Sequence, residues 1–242
     1  MIIVLLSSLG VGGATVLGAL LGFIFRRGIA KRTSEMLTFA AGVSVGAAVL
    51  GLILPSVELS GKFGVFITVL GVFAGGLCVN FIDKIIPGTE RLLGVGSSDS
   101  SGGILLFVLA IAIHNLPEGI AAGVGFGAGD AEMGIFIAVG IAIQNLPEGM
   151  IIIGPLLSLG VSNFRAFIAA AATGLIEVIG TFIGYYAAAS VSAVLPLSLA
   201  FAGGTMLYVV GSDALPSDGG GKFSGYLWLL GFSVMLIFNG IL

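Results

Sequence analysis

Residues 103–123 read GILLFVLAIAIHNLPEGIAAG. An apolar run of ~20 residues is long enough to cross the hydrocarbon core of a bilayer as a helix. Yet this one carries histidine, asparagine, proline and glutamate in its middle. Farther along the chain the same phrase returns. IAIHNLPEG at 111–119 is matched by IAIQNLPEG at 141–149, and the two differ only at His114 against Gln144. Both copies sit inside apolar runs, so the reading begins with two neighbouring membrane helices bearing one duplicated polar motif.

The rest of the chain agrees. Of its 242 residues, 57% are hydrophobic and 9% charged, with mean hydropathy +1.21. A soluble domain carries roughly 25% charged residues, so this chain lacks the charge to cover a water-facing surface. The 41 glycines suit close helix packing in lipid. Apolar runs predict an all-α membrane protein with eight spans, near 3–24, 36–57, 63–83, 103–123, 134–157, 166–189, 194–212 and 224–242. Together they form a single transmembrane domain over 1–242. Met1 to Phe25 lacks a basic segment ahead of its apolar run, so it reads as the first span rather than a signal peptide. No basic patch is large enough for nucleic acid. The one cysteine, Cys78, lies in an apolar run and excludes an internal disulfide and a Cys-based zinc cluster.

Basic residues set the orientation. Arg26, Arg27, Lys31 and Arg32, then Lys84 and Arg91, then Arg165, then Lys222 all fall on one side of an eight-span chain; only Lys62 falls on the other. This places both termini outside the cytoplasm. The longest connection, 84–103, has GVGSSDSSGG at its centre and reads as a flexible cytoplasmic linker. A second, weaker repeat pairs FAAG at 39–42 and LPS at 54–56 with FAGG at 201–204 and LPS at 215–217. These segments lie in spans of opposite direction. The expectation is an inverted repeat, spans 1–3 against 6–8, around spans 4 and 5.

A charge at the bilayer centre costs ~2.5–3.5 kcal/mol on insertion scales, so it needs a partner or a task. Those well inside spans are His114, Glu118, Glu148 and Glu177, with the amides Asn115, Gln144 and Asn145 beside them. His114 and Glu118 are four apart and Asn115 and Glu118 three apart, so all share one helix face. Gln144, Asn145 and Glu148 repeat the pattern. Pro117 and Pro147 withdraw a helical N–H from each motif and are expected to kink it. One imidazole among carboxylate and amide oxygens suits Zn²⁺, Mn²⁺, Fe²⁺, Co²⁺ or Cd²⁺ better than Cu⁺. The rival is a pair of structural kinks whose polar groups satisfy one another.

At these residues the chain resembles the ZIP (Zrt/Irt-like protein) family of divalent-metal transporters, in its prokaryotic branch. The matching motifs are HNLPEG at 114–119, QNLPEG at 144–149 and GLIEVIG at 174–180. The resemblance implies a homodimer in the plasma (inner) membrane that moves zinc, or iron, manganese, cobalt or cadmium, into the cytoplasm. It implies a binuclear site between spans 4 and 5. His114, Glu118, Gln144 and Glu148 would hold one metal. Asn115, Glu118, Asn145, Glu148 and Glu177 would hold the other. Ser44 stands where some members place a sulfur ligand; it is a poorer ligand, or ordinary small-residue packing. The metal is cargo, and no cofactor is implied. The family's histidine-rich 3–4 loop has no counterpart here. HExxH is absent, which argues against an intramembrane metalloenzyme, and no soluble output domain supports a sensor. Asp213 and Asp218 are solvated loop charges or a cytoplasmic exit, and Glu58 a solvated charge or part of the entrance.

Overall fold

Backbone N–H and C=O groups in lipid must be satisfied within the protein, and helices do this segment by segment. The computed structural model describes residues 1–29, 32–85, 100–190, 195–214 and 222–241, and these form eight helical rods and no strand. We number them α1 (Ile2–Ile29), α2 (Thr33–Leu59), α3 (Gly64–Ile85), α4 (Ser100–Gly127), α5 (Ala131–Ser158), α6 (Asn163–Ser190), α7 (Leu195–Val209, continuing through Val210–Ala214) and α8 (Lys222–Ile241). The rods coincide with the eight expected spans to within a few residues. The centre of the linker expected over 84–103 lies outside the described residues. Lys84 and Ile85 close α3, Ser100 opens α4, and residues 86–99 lie outside the described residues.

Both motif helices, α4 and α5, remain α-helical through Pro117 and Pro147. The irregular turns lie elsewhere. A π-helical turn, Val49–Ile53, interrupts α2 directly ahead of Pro55. A second, Val210–Ala214, ends α7. Each follows the FAAG or FAGG segment of its rod, so the weaker sequence repeat marks a shared backbone feature. LPS at 215–217 lies outside the described residues.

Among the described residues the principal packing pairs follow the inverted repeat. α1 packs on α5 as α6 packs on α4, α3 on α7 as α8 on α2, and α2 on α5 as α7 on α4, while α1–α6 and α4–α5 pair with themselves. Glycines make these approaches possible, because a Cβ at Gly42, Gly75, Gly204 or Gly231 would collide with a neighbouring backbone. Gly42 lies on the carbonyl of Trp228 and Gly204 on that of Val72. Gly231 lies on the carbonyl of Phe39 and Gly75 on that of Phe201. Small residues at helix crossings replace the hydrophobic drive that lipid removes. The large apolar side chains of α3, such as Phe66, Phe73 and Phe81, point outward.

Polar clips add specificity. Ser56 Oγ donates to the carbonyl of Pro196 at 2.8 Å and shares a 2.8 Å hydrogen bond with Thr68, tying α2, α3 and α7 together. Asn80 donates to the Tyr208 hydroxyl between α3 and α7. The α4–α5 turn is set by Gly129 at φ 81° and by Asp130, whose Oδ1 accepts from the backbone N–H of Glu132 at 2.9 Å and of Met133 at 3.1 Å. Asp130→Ala removes this cap. It should lower stability by about 1 kcal/mol, read as a reduced melting temperature in detergent, with no effect on cargo binding.

Candidate metal site

The two motifs face each other where α4, α5, α1 and α6 meet. Gly119 and Gly149, the closing residues of the motifs, bring this about. Gly119 lies against the backbone of Glu177 on α6, and Gly149 against the backbone of Thr15 on α1. Each motif helix therefore touches a partner rod with no side chain between them, and polar groups on all four rods come within hydrogen-bonding reach.

Glu177 is fully buried and stands at the centre. Its Oε1 accepts from Asn115 Nδ2 at 2.6 Å and from the Thr15 hydroxyl at 2.8 Å. Its Oε2 accepts from Asn145 Nδ2 at 2.7 Å. An ionised carboxylate is acceptor-only and takes several donors at once, so three rods hold this side chain in one orientation. Asn145 Nδ2 also reaches the carbonyl of Val11 at 3.3 Å. A second link crosses between the motifs: Gln144 Nε2 donates to Glu118 Oε1.

Burial divides the expected ligands. Asn115, Glu118, Gln144, Asn145 and Glu177 are buried, whereas His114 and Glu148 are half-buried. Ser44 is also buried. A Cβ on Gly51 would meet Ile137, and a Cβ on Gly140 would meet Ala47. This antiparallel register carries Ser44 to about the height of Gln144. Among the described residues, no three His, Cys, Asp or Glu side chains form a group able to hold a metal by themselves. Amides are interleaved with the carboxylates, so any cation here would share oxygens of both kinds. Three such oxygens, Glu118 Oε2, Gln144 Oε1 and Asn145 Oδ1, are buried with no hydrogen-bond donor from the protein. Glu58 is exposed at the end of α2; the side chain of Asp213 and the whole of Asp218 lie outside the described residues.

The model of the ZIP zinc transporter family matches residues 95–239, which include both motifs and Glu177. This chain belongs to the ZIP family. Members similar to it along nearly its whole length include the zinc transporter GufA of Myxococcus xanthus, 35% identical over 97% of each chain. Human zinc transporter ZIP11 is 31% identical over 93% of this chain and 92% of its own. Zinc transporter ZIPB of Bordetella bronchiseptica is 32% identical over 93% of this chain and 77% of its own. A multi-pass helical membrane architecture is therefore common ground between sequence, structure and ZIP membership.

Thr15 is the site residue that the motifs did not announce. Its signal lies in the inverted repeat. VGGATVLG at 11–18 aligns with TGLIEVIG at 173–180, with matching glycines at both ends and Thr15 opposite Glu177. The two residues are 162 positions apart, the same shift that superposes FAAG on FAGG.

Proposed function

We propose that this ZIP protein carries Zn²⁺, or a dication with similar ligand preferences, across the plasma membrane into the cytoplasm through a binuclear site between α4 and α5. The observation that carries the reading is the set of three orphaned acceptors, Glu118 Oε2, Gln144 Oε1 and Asn145 Oδ1. An unsatisfied acceptor buried in low dielectric costs about 1–3 kcal/mol, and the two ions of a binuclear site satisfy all three between them. The zinc-transporter names of the relatives supply the cargo class.

In this reading His114, Glu118, Gln144 and Glu148 hold one ion. Asn115, Glu118, Asn145, Glu148 and Glu177 hold the other, and Glu118 and Glu148 bridge them. Ser44 stands beside the first ion as a weak oxygen ligand. Half-buried His114 and Glu148 meet the ion first, and the buried amides and carboxylates complete its shell. An amide ligates through oxygen, and Asn145 Oδ1, buried with no hydrogen-bond donor, already offers its ligand atom. Basic residues on one side of the chain put both termini outside the cytoplasm, and the protein acts as a homodimer.

The test is flux into proteoliposomes loaded with a zinc-responsive dye. Wild type should show saturable uptake. His114→Ala and Glu148→Ala should each reduce it at least as far as loss of an outer-shell partner does, ~10–100-fold. Zinc binding should weaken as pH falls, because the ligands must be deprotonated to coordinate. Folded wild type that binds zinc yet passes none would overturn the transport reading.

A further inference from the structure

We propose that Thr15 is a positioning residue for the cargo site, fixing the carboxylate of Glu177 so that both of its oxygens address the two motif helices. The inference rests on the transport reading above and adds a residue from α1, a rod outside the three ZIP motifs.

Three independent observations carry it. The first is contact. Thr15 is 1% exposed and Glu177 fully buried, and the hydroxyl of one donates to Oε1 of the other at 2.8 Å. The second is completeness. Asn115 and Asn145 supply one donor to each carboxylate oxygen. Those two asparagines are themselves cargo ligands in the proposed site, so their amides answer to the ion as well as to Glu177. Thr15 has no such second duty. It is the one donor of the three that no ion also engages. The third is symmetry. Gly149 rests on the backbone of Thr15 as Gly119 rests on that of Glu177. The inverted repeat thus places a hydroxyl at the position related to the carboxylate, and the short approach of α1 to α6 at Gly12 and Gly174 brings the two related positions together across the axis.

The side chain suits the task. A threonine is β-branched and stiff at χ1, so its hydroxyl is held where a serine's would have to be ordered. Without it, Oε1 retains only Asn115. Oε1 is then held only by a side chain that an ion also engages, and the carboxylate is less firmly kept in its coordinating plane. Loss of Thr15 should therefore weaken capture of the ion more than it slows the turnover of captured ions.

The experiment is zinc uptake by proteoliposomes containing the full-length protein, with wild type, Thr15→Val and Thr15→Ser measured side by side. Thr15→Val keeps the shape and removes the donor; it should raise the apparent KM about 10-fold, with maximal rate within about twofold of wild type. Thr15→Ser restores the hydroxyl and should return KM to within about threefold. If Thr15→Val does not yield monodisperse protein, Thr15→Ala removes the same hydroxyl in less volume and carries the same expectation. Wild-type KM in a folded variant lacking the hydroxyl overturns the inference. So does a Thr15→Ser variant as impaired as Thr15→Val, because a hydroxyl at this position would then not be what holds KM. Absence of uptake by wild type itself would overturn the transport reading and this inference together, whereas active wild type with an unaffected Thr15→Val overturns this inference alone.

Discussion

Glu177→Gln should fold and fail to transport, whereas Glu177→Leu should fail to fold. The difference follows from what surrounds the side chain. Glu177 is fully buried and receives three donors from Thr15, Asn115 and Asn145. Leucine strands all three. At about 1–3 kcal/mol for each buried unsatisfied group, the sum approaches the whole stability of a typical domain, about 5–15 kcal/mol. Glutamine keeps one oxygen for Thr15 and Asn115. Its NH₂ faces Asn145, whose own Oδ1 lacks a donor. A flip of the Asn145 amide turns that clash into a hydrogen bond, so the net cost should stay near 1 kcal/mol. The carboxylate is gone in either case, and with it a proposed ligand of the second ion. Thermal melting in nanodiscs should place Glu177→Gln within a few degrees of wild type. Zinc uptake by the same protein should fall by about 100-fold or more. Near-normal uptake by Glu177→Gln would remove Glu177 from the ligand set.

The second large effect is steric. A Cβ added at Gly119 would lie 2.8 Å from Glu177 Cα and 2.9 Å from its carbonyl carbon, and closer still to its carbonyl oxygen. Neither atom can yield without moving α6. Gly119→Ala should cost about 1–3 kcal/mol, the range for forced overpacking. It should also impair transport more than that cost alone implies, because a wider gap lengthens the Asn115–Glu177 bond. Gly119→Val should give no folded protein. Gly154→Ala is the control: its Cβ would meet nothing within 4 Å, and helix propensity favours alanine over glycine by about 1 kcal/mol. It should be neutral or stabilising. Equal melting temperatures for Gly119→Ala and Gly154→Ala would show that the α4–α6 approach is not tight.

Much of this architecture was legible in the sequence, for physical reasons. Bilayer thickness sets the length of an apolar run, so the eight rods could be read from hydropathy. Lipid makes a buried charge expensive, so His114, Glu118, Glu148 and Glu177 stood out against their surroundings. What hydropathy does not encode is direction. Nothing in HNLPEG says that the amide of Asn115 aims its NH₂ at α6, or that Gln144 on one motif reaches Glu118 on the other. Those choices follow from the backbone approach at Gly119, a contact between rods distant in sequence. Thr15 was hidden for another reason. A threonine in an apolar helix commonly bonds its own backbone, as Thr38, Thr173, Thr181 and Thr205 do here. Only the register of the inverted repeat sets it apart. The π-helical turns at 49–53 and 210–214 were likewise silent; Pro55 marked a disturbance of α2 without giving its form.

The exchange of Thr15 for Glu177 across the repeat has a consequence for thermodynamic bias within the membrane. A site with perfect two-fold symmetry about an axis in the membrane plane would offer an ion the same landscape from either face, and nothing internal would distinguish arrival from departure. Here the related positions carry an uncharged hydroxyl and an acid, and the related motifs carry His114 and Gln144. Two departures from symmetry, in an otherwise matched frame of glycine contacts, make the two approaches chemically unequal. The chain thus holds a built-in polarity along the membrane normal, written in a handful of side chains while the backbone stays nearly indifferent to which way is in.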